Sequence, residues 1–369
     1  MNTVCGRCFL SYLRFNQTFY NALPALVTHS RWFSSNKPIV VQEIVKTVKP
    51  FGKVVINVAC DVEVKSTDPD MYPDMNTVLI RLLSKEALPD SEGEVLTVHV
   101  NDDICEIRTL DEQLHLIPDD AKCLIESPVR YDVDVQAIGN CNVHVSGMVS
   151  DSIIVQTECG DITGGKLQAG QLILSSSDGG SVKLCHSLQG NIEINTAKNG
   201  LVQADKILGA ELKVSTQNGD VQVGSNYCTK STFTTENGNL HLNNLHMNST
   251  VDIDGSGSLH ITCLDGSLQA DLKEGLAKIQ VVRLTGDSRI SSNGEIILII
   301  PEVNEVQLKL KAQKLEVDGN INGMEEHSRE MQRFRSLGGQ VTFEAMTTKS
   351  IKVNRASWAK TLNLGRFMQ

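Results

Sequence analysis

The sequence predicts an all-β chain built around a single-stranded β-solenoid, or β-helix, and three observations carry that expectation. Turn glycines recur at an almost constant interval, a short alternating apolar run follows most of them, and the inner positions are filled by Val, Ile and Leu. Gly139, Gly160, Gly180, Gly200, Gly219, Gly238, Gly257, Gly275 and Gly294 are separated by 21, 20, 20, 19, 19, 19, 18 and 19 residues. The second and fourth residues after most of them are apolar, as in Val182/Leu184, Val221/Val223, Leu240/Leu242, Leu259/Ile261 and Ile296/Leu298. Halfway between glycines a weaker copy of the phrase appears, as in Leu172/Leu174, Ile192/Ile194 and Val251/Ile253.

Each period therefore holds two short strands with one apolar face. One coil cannot bury that face alone, but coils stacked at the inter-strand spacing of about 4.8 Å can. About eight coils of roughly 19 residues fit into residues 139–301. The Asn-Gly pairs at Asn199, Asn218, Asn237 and Asn293 mark the repeated corner. Asn and Gly tolerate positive φ there, and stacked asparagines can bond from coil to coil. The same pairs could tip antiparallel hairpins, but hairpins do not require a constant period.

Residues 50–138 carry less regular strand runs, "KVVINVACDVEV", "NTVLIRLL", "VLTVHV" and "LHLIPDD", separated by breaks such as "TDPDMYPDM". They are expected to form an N-terminal β-rich cap that shields the first coil's open edge. Residues 302–369 make a small C-terminal cap and tail. There "VQLKLKAQKLEVDGNI" is strand-like, "MEEHSREMQRFRS" is the best helix candidate, and "VTFEAMTTKSIKV" is a closing strand pair.

Residues 1–42 lack Asp and Glu and contain Arg7, Arg14, Arg31 and Lys37. That is the makeup of a mitochondrial transit peptide, with "RWFS" resembling a matrix-protease site cut before Ser34. The expected organisation is a leader at 1–33, a linker at 34–49 and a mature chain in the matrix. Loss of the three leader arginines takes the formal charge from −10 to −13. An acidic surface argues against nucleic-acid partners. No apolar run reaches the roughly 20 residues of a membrane helix. The ten cysteines form one CxxC, Cys5 and Cys8, inside the leader; the rest are spread singly, as small buried thiols of a reducing compartment are.

"LHLIPDDAKCLIESPVRYDVDV", followed by "CGDITGG", "NGDVQVGS" and "NGNLHLNN", resembles the adhesin-like β-solenoid family of bacterial proteins. With its acid-free leader the chain resembles an animal mitochondrial branch of that family. The resemblance covers residues 51–301 and implies the fold; the word adhesin implies no activity.

No motif supplies chemistry. "GDITGGKL" (Gly160 to Leu167) has the glycines and lysine of a P-loop but puts Leu167 where a Mg²⁺-binding hydroxyl belongs, with no helix after it. Carbohydrate-active β-helices pair carboxylates on one outer face. The outward row three residues past each glycine carries none, and Asp161 and Asp220, one residue past, lie three coils apart. "NDD" at Asn101–Asp103 is a solvated turn. No metal or cofactor site is expected. The row Gln203, Gln222, His241, His260 and Lys278 is the longest outward polar ladder and the candidate face for an unidentified protein partner. Gly160, Gly180, Gly200, Gly219, Gly238, Gly257 and Gly294 are assigned as structural turns. The leading expectation is a non-enzymatic scaffold; the alternative is a carbohydrate-active β-helix enzyme or an inactive remnant of one.

Overall fold

The computed structural model describes residues 38–85, 94–109, 117–301, 306–328 and 331–356, all within the unit Pro38–Gln369. The expected leader at residues 1–33, Cys5 and Cys8 within it, and the residues beyond Ala356 lie outside the described residues. No helix occurs among the described residues. The described residues open with β1 (Ile39–Thr47), β2 (Lys53–Val58), β3 (Asp61–Ser66), β4 (Thr77–Ser84) and β5 (Leu96–Asn101). There follow β6 (Ile104–Thr109), β7 (Lys122–Ser127), β8 (Asp132–Ala137), β9 (Val143–Ser146) and β10 (Val149–Thr157). Six long strands form the regular region: β11 (Ile162–Ser176), β12 (Val182–Thr196), β13 (Val202–Thr216), β14 (Val221–Thr235), β15 (Leu240–Ile253) and β16 (Leu259–Leu272). After them come β17 (Ala277–Leu284), β18 (Ser288–Ser292), β19 (Ile296–Pro301), β20 (Val306–Ala312) and β21 (Lys314–Val317). The last four are β22 (Gly323–His327), β23 (Gln332–Ser336), β24 (Val341–Thr347) and β25 (Ser350–Ala356).

Every neighbouring pair from β10 to β17 is parallel, which makes this an all-β solenoid and not a stack of hairpins. Each long strand contributes one half to each of two faces and bends between them at an irregular corner. Apolar columns run down the interior. Val182, Val202, Val221, Leu240, Leu259, Ala277, Ile296 and Ile351 are successive register partners, and all are buried. Phe233 fills the same role in the facing column between Val214 and Val251. The alternation inferred from the glycine phase thus holds: even steps past the glycine point in, odd steps out.

The glycines are required for a different reason from the one their sequence context suggests. Of the nine in the series only Gly139 and Gly275 have positive φ, and Asn199, Asn218, Asn237 and Asn293 do not. A Cβ at Gly180, Gly200, Gly219, Gly238, Gly257 or Gly294 would instead collide with the carbonyl oxygen of the glycine one coil earlier; at Gly160 the obstacle is Cys141. Close backbone stacking, not turn conformation, fixes the column. The residue after the glycine supports the same corner. Asp161 Oδ1 accepts the Ser181 N–H at 2.7 Å, Asp220 Oδ1 the Asn239 N–H at 2.8 Å, and Asn239 Oδ1 the Ser258 N–H at 3.1 Å. Of the expected asparagine stack, Asn237 Nδ2 donates to Asn218 Oδ1 at 2.9 Å.

The parallel ladder begins earlier and ends later than the regular spacing. On one face the order is β6, β2, β8, β10, and on the other β7, β3, β9, β11. The pair β2–β3 thus sits between two coils that the chain makes later. The far end mirrors this arrangement: β24 lies between β18 and β20, and β25 between β19 and β21. Antiparallel strands close both ends: β1 against β4 and β4 against β7, β5 against β6, and the β22–β23 hairpin against β20.

The expected helix at residues 324–336 is this hairpin. Its helix-favouring residues are overridden by the open edge of β20, which offers ladder partners that an isolated helix lacks. The turn at Asn101–Asp103 joins β5 to β6, and Asp103 is paired there with Lys49 at 2.6 Å. Cys60, Cys105, Cys123 and Cys228 are buried, whereas Cys185 is exposed. Burial pushes the Cys123 thiol up to about 12 and those of Cys105 and Cys228 to about 11, so these three stay protonated and unreactive.

Candidate functional site

The polar ladder is assembled by the stacking itself. Gln203, Gln222, His241, His260 and Lys278 are consecutive register partners on β13 to β17. Gln203, Gln222 and His241 are exposed, while His260 and Lys278 are half-buried. The two imidazoles meet edge to face with centroids 5.9 Å apart. The row continues the other way through Lys183, Thr163, His144 and Glu63; in the opposite direction Ile297 interrupts it before Lys352 and Glu316. His144 Nδ1 lies 2.9 Å from Thr163 Oγ1. The result is a strip of amide, imidazole and ammonium groups, one per coil, with hydrogen-bond capacity facing outward.

Burial, followed by the charge of Lys278 and by His241, holds the His260 imidazole below its ordinary range. Its folded pKa lies under its unfolded one, so acidification protonates the unfolded chain first and stability falls on the acid side of the ordinary histidine value. His260→Gln is expected to flatten that acid limb. Denaturation midpoints followed from neutral pH downward check it; an unchanged slope would assign the acid sensitivity elsewhere.

Two further constellations lie beyond the first half of each coil, one at the corner and one on the second half. Lys206 Nζ stands 5.6 Å from the Tyr227 ring centroid, and Tyr227 stacks on His246 with centroids 4.5 Å apart and an angle of 18°. His246 Nδ1 lies 3.4 Å from Asp265 Oδ2, and Arg283 grips the same carboxylate with Nε at 2.6 Å and Nη2 at 3.1 Å. This line ties successive coils together along the irregular corner. The second is a carboxylate pair. Asp252 and Asp271 are register partners on β15 and β16, and burial, then Asp254 and Asp271, raise the Asp252 carboxyl. Both aspartates are exposed, and Lys273 beside them is paired with Asp254 at 3.1 Å.

Neither constellation was legible from the glycine-anchored rows, because the corner between the half-coils contains register shifts. The signal available was the spacing itself: Tyr227, His246 and Asp265 are 19 residues apart, as are Asp252 and Asp271. The P-loop-like "GDITGGKL" leads into β11 with no helix behind it, so it makes no phosphate cradle. Among the described residues no group of three or more His, Cys, Asp or Glu is placed to hold a metal.

Several solved structures are similar to this chain at low identity. A "putative lipid binding protein" from Parabacteroides distasonis is 13% identical, with 85% of this chain and 96% of that one covered and a TM-score of 0.35. A "putative adhesin" from the same organism is 10% identical, with 87% and 98% covered and a TM-score of 0.31. A "putative adhesin" from Parabacteroides merdae is 10% identical, with 85% and 95% covered and a TM-score of 0.29. At these values the likeness bears on no residue's role. From the corner before β12 to just past β25, residues 181–357 match the family model described as Toastrack DUF4097.

Proposed function

We propose that the chain is a non-enzymatic mitochondrial β-solenoid scaffold that holds a protein partner along the ladder Gln203, Gln222, His241, His260 and Lys278. The observation that carries this reading is the unbroken register of the five, which presents polar groups at strand spacing on a rigid face. The acid-free leader supports the compartment. Proximity labelling in intact cells, with residues 1–33 present and then deleted, tests compartment and neighbours together. The double change H241A/H260A is expected to leave the melting profile intact and to thin the set of labelled mitochondrial proteins. Unchanged partners with an unchanged melt would return the histidines to ordinary solvated surface.

The register pairing of Asp252 with Asp271 favours a second reading, a carbohydrate-active β-helix enzyme or a remnant of one. Against it, the pair is exposed beside Lys273, and Tyr227, the one Phe, Tyr or Trp between Gly139 and Pro301 that is not buried, is engaged in the stack with His246.

A further inference from the structure

The C-terminal cap carries a concentration of positive charge that the rest of this acidic chain lacks. On adjacent antiparallel strands Lys309 is directly opposite Arg335, and Lys311 directly opposite Arg333. Lys309, Arg333 and Arg335 are exposed and Lys311 is half-buried. Like charges directly opposed across a sheet destabilise it, so folding alone gives no reason for this square. Many of the other cations are matched, as Lys53 is with Asp134, Lys122 with Glu63, Lys198 with Asp178, Lys273 with Asp254 and, within the cap, Lys352 with Glu316; Lys166, Lys183 and Lys278 stand singly on the solenoid and form no such cluster. Among the described residues none of the four cap cations has such a partner within ion-pair distance. Arg289 extends the patch on β18, and Glu344 and Glu326, register neighbours of Lys309 and Arg333, leave it net positive.

Leu337 lies exposed in the bend just past β23, next to the strand that carries Arg333 and Arg335, and Met324 on β22 lies opposite Arg335. Met324 is 59% exposed and Leu337 58%. Two aliphatic side chains thus project from the free hairpin beside the cations. The hairpin's Phe334 is buried, and its exposed ring, His327 at the end of β22, lies 3.4 Å from Glu325, so the patch offers a base no free platform to stack on. Basic groups interleaved with protruding aliphatics on a flat surface fit a bilayer whose headgroups are anionic and whose interface accepts apolar side chains to a shallow depth.

We propose that the outer face of the β20–β23–β22 cap docks on an anionic lipid surface, with Lys309, Lys311, Arg333 and Arg335 on the headgroups and Met324 and Leu337 in the interface. The purified full chain should sediment with phosphatidylcholine vesicles containing phosphatidylserine, not with phosphatidylcholine alone, and added salt should release it. R333Q/R335Q should weaken partitioning about thirtyfold, from about 1 kcal/mol per basic side chain near an anionic surface. Its melting profile should hold or rise, since it relieves like-charge opposition. K213Q/K230Q, the same charge change on another part of the solenoid, should leave partitioning unchanged, whereas M324S/L337S should weaken it without altering the salt slope. Equal affinity for neutral vesicles, no vesicle binding, full binding by R333Q/R335Q, or tighter binding to single-stranded RNA than to vesicles would overturn the proposal.

Discussion

Gly219→Ala is expected to cost about 3–5 kcal/mol, in the range reached only by exceptional single changes. The added methyl would point at the carbonyl of Gly200, with Asn199 close behind it, and the obstacle is backbone on both counts. No rotamer change relieves such a contact; the coils must part, and the ladder between β13 and β14 lengthens with them. Gly319→Ala is the matched control, because nothing lies within 4 Å of its Cβ position and its φ is not positive. Replacing it should shift the denaturation midpoint little. If the two variants unfold together, close stacking is not what selects glycine in the column.

Leu242→Asp should be comparably severe. Leu242 is buried between Val223 and Ile261 of the neighbouring coils, so the substitution removes an aliphatic contact worth about 1.5–3 kcal/mol and strands a carboxylate. A total cost of several kcal/mol follows, of the order of a typical domain's whole stability, and the new carboxyl would escape part of it by staying protonated. The adjacent outward change, His241→Asp, should stay within about 0.5 kcal/mol. Chemical denaturation of the pair reads the inward–outward register directly, and equal losses would reverse the assignment.

What the sequence disclosed follows from repetition. Val221, Leu240 and Leu259 meet the same environment on successive coils, so their phase relative to Gly219, Gly238 and Gly257 is written again and again. The ladder through His241 and His260 follows from that phase, and was legible for the same reason. The reason for the glycines was not: positive φ and close backbone approach both select the residue without a side chain, and only coordinates separate them. The β22–β23 hairpin was illegible because its pairing partner, β20, belongs to a distant stretch, while Met324, Glu325, Glu326 and Met331 favour a helix locally. The pair Asp252 and Asp271 lies past a corner whose length varies, so its phase cannot be carried over from the glycines.

The displaced strand pairs at the two ends have a consequence for how the molecule is made. A simple solenoid grows rung by rung and frays from its tips. Here the C-terminal slot between β18–β19 and β20–β21 stays empty until β24–β25, made after both of its walls, enter it. Until then two ladders stand with bare edges, the state in which a nascent chain is most exposed to pairing with a neighbour. At the other end β2–β3 is synthesised before the strands that flank it and awaits partners on both sides. Assembly thus starts on an early seed and finishes with a late insertion. Once inserted, β24–β25 is held along both edges, so the tip opens only when two ladders break together. A chain that stops before Val341 is consequently not a shorter solenoid but one with a missing rung inside it.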